Sequence, residues 1–181
     1  MNDDDRLENL LGAFALAVAD RLRLETETAI GQTGAAAAAL VTIAQFPSRS
    51  VEFLRRAIGL SHSAAVRVVD RLVEERLVVR RRAGRGPAVA LTTTAAGRRR
   101  AQKVLDIRQK VLAEALPELS PAQSTALTAI LEGALAGLSD SPGTTICRLC
   151  HQGRCRRDAC PVARRQTELG APPPEPVPLE D

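Results

Sequence analysis

Two short helices joined by a tight turn constrain this chain more than any other part of its sequence. In LRRAIGLSHSAAVRVVDRLVEERLV, which begins at Leu54, apolar residues recur at spacings of three and four on both sides of Gly59. Gly59 suits a left-handed helix C-cap, and Ser61 is a good N-cap for the next helix. The pattern predicts a helix-turn-helix whose second helix, polar at its N-terminal end, is the reading element.

Helical and strand patterns continue on both sides of this motif. The predicted helices span Asp4 to about Glu27, Ala35 to about Phe46, Val51 to Ile58, the residues after Ser61, Ala95 to Leu116, and a last helix capped by Ser120. Leu77 to Arg81 and Val89 to Thr93 alternate as strands do, and the residues AGRGP between them predict a turn. A hairpin with a basic tip directly after a reading helix is a wing.

Composition agrees with a helical fold. Apolar residues make up 45% of the 181, but many are alanine and only three aromatic residues are present. Small side chains favour close helix packing over a thick sheet sandwich. The predicted fold is therefore mainly α with a small β-hairpin wing, a winged helix-turn-helix.

Charge is unevenly distributed along the chain. Residues 1–30 carry seven acids and three arginines, whereas residues 76–103 carry nine basic residues and no acid. A run of like charge is usually a solvated face, but here it coincides with the predicted wing. Its position therefore favours nucleic acid as a partner.

The run from Leu54 to Arg100 resembles the winged helix-turn-helix of the MarR family of bacterial transcriptional regulators, and the likeness covers roughly residues 5–140. TAAG, from Thr94 to Gly97, is similar to the end of that family's wing and the start of its next helix. The resemblance implies a DNA-binding regulator, expected to be a repressor. The sequence departs from the family pattern at Arg85-Gly86-Pro87, where family wings often carry Asp-x-Arg.

In such a fold the first turns of the reading helix enter the major groove. The residues predicted to meet DNA there are Ser61, His62, Ser63, Ala64 and Arg67. Arg67 is the best candidate for reading guanine, because its guanidinium matches the two acceptors of that base. The alternatives are an ion pair of Arg67 with Asp70 or Glu74, and a His62 that contacts nothing. Asp70 and Arg71 are expected to organise the protein.

The predicted wing adds cations to this helix. Arg81, Arg82 and Arg85 are expected to contact phosphates or the minor groove of double-stranded DNA. Arg98 to Arg100 begin the next helix, and for them a solvated face competes with a DNA contact.

The outer helices predict a homodimer. Leucines of the first helix and of the last helix supply more apolar surface than three short central helices can cover. A symmetric dimer would read an inverted repeat. The predicted organisation is a dimerisation helix (1–33), a DNA-binding domain (34–97), C-terminal dimerisation helices (98–140), a cysteine-rich extension (141–165) and a disordered tail (166–181).

All cysteines of the chain lie in the extension, at Cys147, Cys150, Cys155 and Cys160. Four thiolates are the ligand set of structural zinc and of iron–sulfur clusters. Between the first and last cysteine the only large apolar side chain is Leu149, so burial alone cannot offset roughly 1 to 2 kcal/mol of backbone entropy per ordered residue. A metal worth roughly 10 to 16 kcal/mol makes up much of that deficit.

Several interpretations of the extension stay open. The metal is expected to be Zn²⁺, with an iron–sulfur cluster as the alternative, and free thiols on a flexible tail are a third reading. His151 is a spare ligand candidate, expected to be exposed. The site is either structural or a sensor whose loss of metal loosens the C-terminal helix. The hydroperoxide sensing of some MarR proteins does not carry over, because it uses a cysteine of the first helix.

Other functions have less support. Two histidines without a neighbouring nucleophile suggest no acid–base pair or triad, so an enzyme is not expected. A winged-helix protein-interaction module with structural zinc and an iron–sulfur redox sensor are the alternative functions. Many MarR proteins bind small anionic aromatic compounds, so an effector of unknown identity is expected. With an acidic N-terminal stretch and no long apolar run, the chain is expected to be cytoplasmic and without a membrane partner.

Overall fold

A computed structural model describes residues 3–82, 89–139, 146–155 and 158–170 of the chain. Helices dominate it, with one two-stranded antiparallel sheet. In chain order the elements are α1 (Asp3–Ile30), α2 (Gly34–Gln45), α3 (Val51–Ile58), α4 (His62–Glu74), β1 (Val78–Arg82), β2 (Val89–Thr93), α5 (Ala95–Ala115), α6 (Pro121–Gly137), a 3₁₀ helix (Ile146–Leu149) and α7 (Pro161–Glu168). Across the described residues, no helix combines the length and the apolar character needed to cross a membrane.

The alanine-rich helix α2 is the centre of the fold. Its residues from Ala36 to Ile43 are all buried, and it packs against α1, α3, α4, α5 and β2. Alanine has a high helix propensity, and its short side chain lets neighbouring backbones approach closely. The larger side chains of the core, Leu54, Leu72 and Leu91, come from the elements around α2.

Helix α1 is longer than its sequence pattern predicts. It continues three residues beyond Glu27 to Ile30 and ends at Gly31, whose φ of 63° is left-handed. Arg100 and Lys103 of α5 donate to the backbone oxygens of Ile30 and Ala29 at 2.8 and 2.9 Å. These cations satisfy carbonyls that have no partner within the helix and oppose its negative end, which stabilises the additional turn.

Helices α3 and α4 form the predicted helix-turn-helix. The side chain of Ser50 accepts the N–H of Phe53 and so caps α3, which ends at Gly59 with a left-handed φ of 71°. Ser61 then caps α4. Gly59 and Ser61 thus have the roles that the sequence predicts, and the structure adds the cap at Ser50.

The two strands form the predicted hairpin, one residue further along at β1 than the pattern suggests. They pair from Val78 opposite Thr93 to Arg82 opposite Val89. Arg49, between α2 and α3, adds an isolated bridge to Leu91. The hairpin is thus tied to the loop that leads into the helix-turn-helix.

Gly97 lets α5 begin directly beside the hairpin. A Cβ atom built on Gly97 would lie 2.0 Å from the backbone oxygen of Leu77. Only glycine tolerates this approach of helix to strand, which explains the glycine of the TAAG stretch.

Large apolar side chains on the outer helices are exposed in the single chain. Of α1, only Thr26 and Ile30 are buried, and α6 has no buried residue. The exposed side chains on these two helices include Leu7, Leu10, Leu11, Phe14, Leu16, Leu24, Ile130 and Leu131. The predicted dimerisation helices therefore carry apolar surface that the chain itself does not cover.

The C-terminal part of the chain folds back onto the core. Leu149 packs against the core, the 3₁₀ helix contacts α2 and α3, and α7 packs against α6. The sequence predicts a disordered tail from residue 166, but α7 runs through Glu168. Pro161 at its first turn and the buried Val162 explain the additional helix. Residues 171–181 lie outside the described residues.

Candidate nucleic-acid interface

The N-terminal end of α4 presents small polar side chains to solvent. The hydroxyl oxygen of Ser61 accepts the N–H of Ala64 at 3.2 Å and lies 3.3 Å from the hydroxyl of Ser63. Ser61 therefore serves first as a cap, while Ser63 and His62 project outward and Ala64 is half-buried. Apart from the exposed His62, the first turn of α4 carries only small side chains.

Arg67 lies one turn further along α4 and is exposed. It makes no hydrogen bond or ion pair with any other described residue. The alternative expectation, an ion pair with Asp70 or Glu74, is wrong for this structure because Asp70 has another partner. The guanidinium of Arg67 is therefore available to an external acceptor.

Asp70 joins the reading helix to the hairpin. Its carboxylate accepts a hydrogen bond of 2.6 Å from Arg80 of β1. The sequence suggests an organising role for Asp70 but not this partner, because only the packing of α4 against β1 brings the two together. Further along α4, Arg71 pairs with Glu75 at 3.1 Å, which fits its predicted structural role.

The wing arginines lie on two faces of the hairpin. Successive side chains of a strand point to opposite sides, so Arg82 shares the face of Arg80, and Arg81 lies on the other face. Arg81 and Arg82 are exposed and form no ion pair with other described residues. Arg85 and the turn Arg85-Gly86-Pro87 lie outside the described residues.

His62 borders a charged cluster on α3. Glu52 accepts two 2.6 Å hydrogen bonds from Arg55 and one of 3.0 Å from Arg56. These bonds, that from Arg55 first, hold the pKa of Glu52 below its usual value. The Nδ1 atom of His62 lies 3.9 Å from the carboxylate of Glu52. His62 is therefore not without a neighbouring side chain, as one of the two expectations had it.

Two of the three arginines at the start of α5 bind backbone oxygens of the protein itself. Arg98 donates to the backbone oxygen of Thr93 at 3.2 Å, and Arg100 binds the end of α1 as described above. Arg99 is exposed. Two of these three arginines therefore have structural partners, which reduces the case for a DNA contact at this site.

The four cysteines lie in two pairs. The side chains of Cys147 and Cys150 are hydrogen-bonded to each other, and those of Cys155 and Cys160 form a second pair. All four are free thiols; Cys155 is exposed and the others are half-buried. Cys147 also interacts electrostatically with the second pair.

Hydrogen bonding makes the first pair unequal. The bond from Cys147 lowers the pKa of Cys150 to about 6, with a further contribution from the positive charge of Arg108 on α5. The same bond, together with burial, raises the pKa of Cys147. Burial and the charge of Cys160 raise the pKa of Cys155.

The predicted metal ligands are not gathered at one point. Across the described residues, no three His, Cys, Asp or Glu side chains converge into a group that could hold a metal ion. His151 is half-buried rather than exposed, and its buried Nδ1 atom has no hydrogen-bond partner. Metal binding by the cysteines stays a prediction.

Comparison with known families identifies the central part of the chain. Residues 30–86 match the model of the MarR family. This segment begins at the end of α1 and includes the helix-turn-helix and β1. A search of curated proteins gave no match.

Solved structures share the fold over most of the chain. The YusO protein of Bacillus subtilis is 22% identical, with a TM-score of 0.62 over 74% of this chain and 99% of YusO. A MarR family protein of Mycobacterium tuberculosis in complex with DNA is 25% identical, with a TM-score of 0.53 over 68% and 96% of the two chains. A complex of that protein with p-aminosalicylic acid matches at 25% identity and a TM-score of 0.53, over 68% and 97%. These matches confirm the predicted winged-helix fold.

The bond between Asp70 and Arg80 generates a prediction about DNA affinity. Asp70→Asn removes the charge that holds Arg80, so the hairpin loses one of the contacts that hold it against α4. We expect affinity for DNA to fall severalfold, while the free energy of unfolding changes by at most about 1 kcal/mol because the pair is exposed. Fluorescence anisotropy and urea denaturation measure the two quantities.

Glu74→Gln is the matched control. It also removes one acid from α4, but Glu74 is exposed and has no ion-pair partner among the described residues. Loss of a negative charge alone should strengthen DNA binding. If Asp70→Asn strengthened binding as much as Glu74→Gln, the hairpin would not depend on this contact.

Proposed function

We propose that this chain, whose winged helix-turn-helix matches the model of the MarR family, is a transcriptional regulator that binds an inverted-repeat operator as a dimer. The observation that carries the proposal is the exposed Arg67 on the reading helix, beside Arg81 and Arg82 of the hairpin, since none of the three has an ion-pair partner in the part of the chain that the structure describes. The complex of the Mycobacterium tuberculosis relative with DNA supports the same partner.

In this proposal α4 enters the major groove with its N-terminal turns first. Ser63, Ala64 and Arg67 then face base edges, and Arg67 donates two hydrogen bonds to a guanine. Arg81 and Arg82 contact phosphates on either side of the hairpin. Because Asp70 holds Arg80 in place, the wing keeps a fixed position relative to the bases that Arg67 reads.

Substitution of Arg67 should affect sequence preference more than salt dependence. We expect Arg67→Ala to cost about 1 to 3 kcal/mol of binding to a preferred site and to relax selection at one base pair. Titration of the protein with the region upstream of its own gene, over a range of salt concentrations and with bulk competitor DNA, measures both effects.

Two variants serve as comparisons. Arg82→Ala should weaken binding to all sequences and flatten the log–log salt dependence by about one unit, as expected for a phosphate contact. Arg71→Ala should have a smaller effect, because Arg71 pairs with Glu75. A wild-type protein that prefers no fragment over competitor, even at low ionic strength, would argue for protein recognition by the winged helix instead.

The dimer is formed by α1 and α6 in this proposal. Their exposed apolar side chains lie at the two chain regions where the sequence predicts dimerisation. An apolar surface of this extent favours association of two copies. Two copies of α4 would then meet half-sites about one helical turn, roughly 34 Å, apart on the operator.

We expect sedimentation velocity at micromolar concentration to show a dimer, and Leu131→Glu to shift it toward monomer. A charged residue at a buried apolar contact costs several kcal/mol, because the charge is desolvated without a partner. Glu118→Gln, on the loop before α6, is a control that should leave the dimer unchanged. A wild-type protein that sediments as a monomer would contradict this part of the proposal.

Repression is the expected sign of regulation, since an operator-bound dimer blocks access to the promoter. A small-molecule effector is also part of the proposal, by analogy with the relative solved with p-aminosalicylic acid. With three phenylalanines and neither tryptophan nor tyrosine, this chain has few rings to line a site for an aromatic ligand.

The four cysteines are proposed to bind one metal centre, zinc, with an iron–sulfur cluster as the alternative. Four thiol donors on a short segment suit either group. The sulfur of Cys147 lies beside that of Cys150, and the sulfur of Cys155 lies beside that of Cys160. The orphaned Nδ1 atom of His151 is a further polar group without a partner in the same segment. When bound, such a centre would join the two thiol pairs and stabilise the extension.

Absorption spectra and elemental analysis of protein purified without oxygen should give about one zinc per chain and no colour. A brown protein that contains iron and sulfide would show that the centre is an iron–sulfur cluster and not zinc. Cys147→Ser together with Cys150→Ser should abolish the metal in either case. Metal-free, colourless wild-type protein that stays folded would contradict the proposal and leave four free thiols.

A further inference from the structure

We infer that the C-terminal segment is a clamp on the DNA-reading head, and that Gln45 transmits the state of its thiols to that head. The clamp comprises the described residues 146–155 and 158–170. The inference rests on the proposed DNA-binding function, since it concerns how that binding is regulated. It assigns a regulatory role to an extension that the family match does not include.

Gln45 makes two hydrogen bonds to the clamp with one side chain. Its Nε2 atom donates to the backbone oxygen of Cys150 at 2.7 Å. Its Oε1 atom accepts the backbone N–H of Gln152, also at 2.7 Å. An amide that is satisfied at both ends fixes the orientation of its partner backbone as well as its distance. This is a specific contact across more than 100 residues of sequence.

An apolar contact supports these hydrogen bonds. Leu149 packs against the core, and the 3₁₀ helix that it ends contacts α2 and α3. The thiols of Cys147 and Cys150 lie on either side of Leu149, within the turn closed by the bond from Cys150 N to Cys147 O at 3.0 Å. Any change in how these sulfurs are bonded therefore acts on the residue that anchors the clamp and on the carbonyl that Gln45 holds.

The other end of the clamp is attached to the dimerisation region. Helix α7 packs against α6, and its first residues, Pro161 and Val162, are buried. Arg108 of α5 interacts with Cys150. The clamp thus connects the helices proposed to form the dimer with the helices that position the reader.

Gln45 lies at the joint that sets the position of the reading head. It is the last residue of α2, five residues before Ser50, which caps α3. Between them, Ser48 donates to the backbone oxygen of Leu91 and Leu91 donates to that of Arg49, both at 2.9 Å. Movement at Gln45 is therefore passed to α3 through a short loop and to the hairpin through Leu91.

A thiol-directed signal changes the order of the turn from Cys147 to Cys150. Chemical blocking of the sulfurs in this turn loosens the contacts of Leu149 and Gln45. In the loosened state the loop from residue 46 to residue 50 moves more freely, and the two readers of a dimer are held less firmly at their operator spacing.

Hydrogen–deuterium exchange on the full-length protein tests the clamp without DNA. The measured amides are those of residues 44–54, in wild type, Gln45→Leu, Cys147→Ser/Cys150→Ser and the combination of all three substitutions. Gln45→Leu keeps a helix-forming side chain of similar size but removes both hydrogen bonds. Gln109→Leu, on the exposed face of α5, is the matched control.

We expect the amides of residues 44–54 to exchange roughly tenfold faster in Gln45→Leu and in the double cysteine variant. The combined variant should be no faster than the faster of the two, because the thiols and Gln45 act in one pathway. Multiplying effects, or no acceleration in either variant, would overturn the inference. If Gln45→Leu fails to fold, Gln45→Glu, which keeps the acceptor for Gln152 and loses the donor to Cys150, replaces it.

DNA binding by the same variants separates this inference from the proposed function. At fixed salt, Gln45→Leu and the double cysteine variant should lose affinity by a similar factor, and Gln109→Leu should bind as wild type does. A wild type that binds no DNA but shows the expected exchange pattern would overturn the proposed function and leave the clamp as a structural device. Wild-type affinity in Gln45→Leu would overturn the link from clamp to reader.

Discussion

Four consecutive alanines of α2, Ala36 to Ala39, are 0 to 3% exposed and are enclosed by the elements on every side. This packing sets the positions of the elements that contact α2. Because alanine side chains are short, α1, α3, α4, α5 and β2 can all approach α2 closely. A larger side chain at these positions would separate the helices and displace both the reading helix and the hairpin. The geometry of the candidate interface therefore begins with a helix that presents nothing to DNA itself.

The interface is defined by which cations the protein leaves without a partner. Arg55, Arg71, Arg80 and Arg100 are held by acids or by backbone oxygens, and they order α3, α4, the hairpin and the end of α1. Arg67, Arg81 and Arg82 have no such partner among the described residues. Paired arginines position the surface and unpaired ones are available to phosphates and bases. A count of basic residues along the sequence does not distinguish these two groups.

In the C-terminal extension, as among the arginines, some side chains hold the fold together and others are left available for chemistry. Leu149 is the one large apolar side chain between the first and last cysteine, and it packs against the core. Gln45 holds the adjacent backbone, so the thiols lie beside fixed points of the fold. A segment too poor in apolar residues to fold alone thereby gains order from the domain on which it lies. Its first two thiols therefore lie next to the joint between α2 and α3.

Local sequence signals determined helices α1 to α6, the turn at Gly59, the caps at Ser61 and Ser120, and the hairpin, because each depends on neighbours within a few residues. They also singled out Arg67 and the cysteines by residue type and spacing. Only the tertiary structure decided that Asp70 holds Arg80, that Arg100 closes α1, and that Gln45 binds the backbone of Cys150. These contacts join residues from 10 to 105 positions apart. Hydrogen bonds of that kind leave no periodic pattern, since each requires two distant segments to be packed together before donor and acceptor meet.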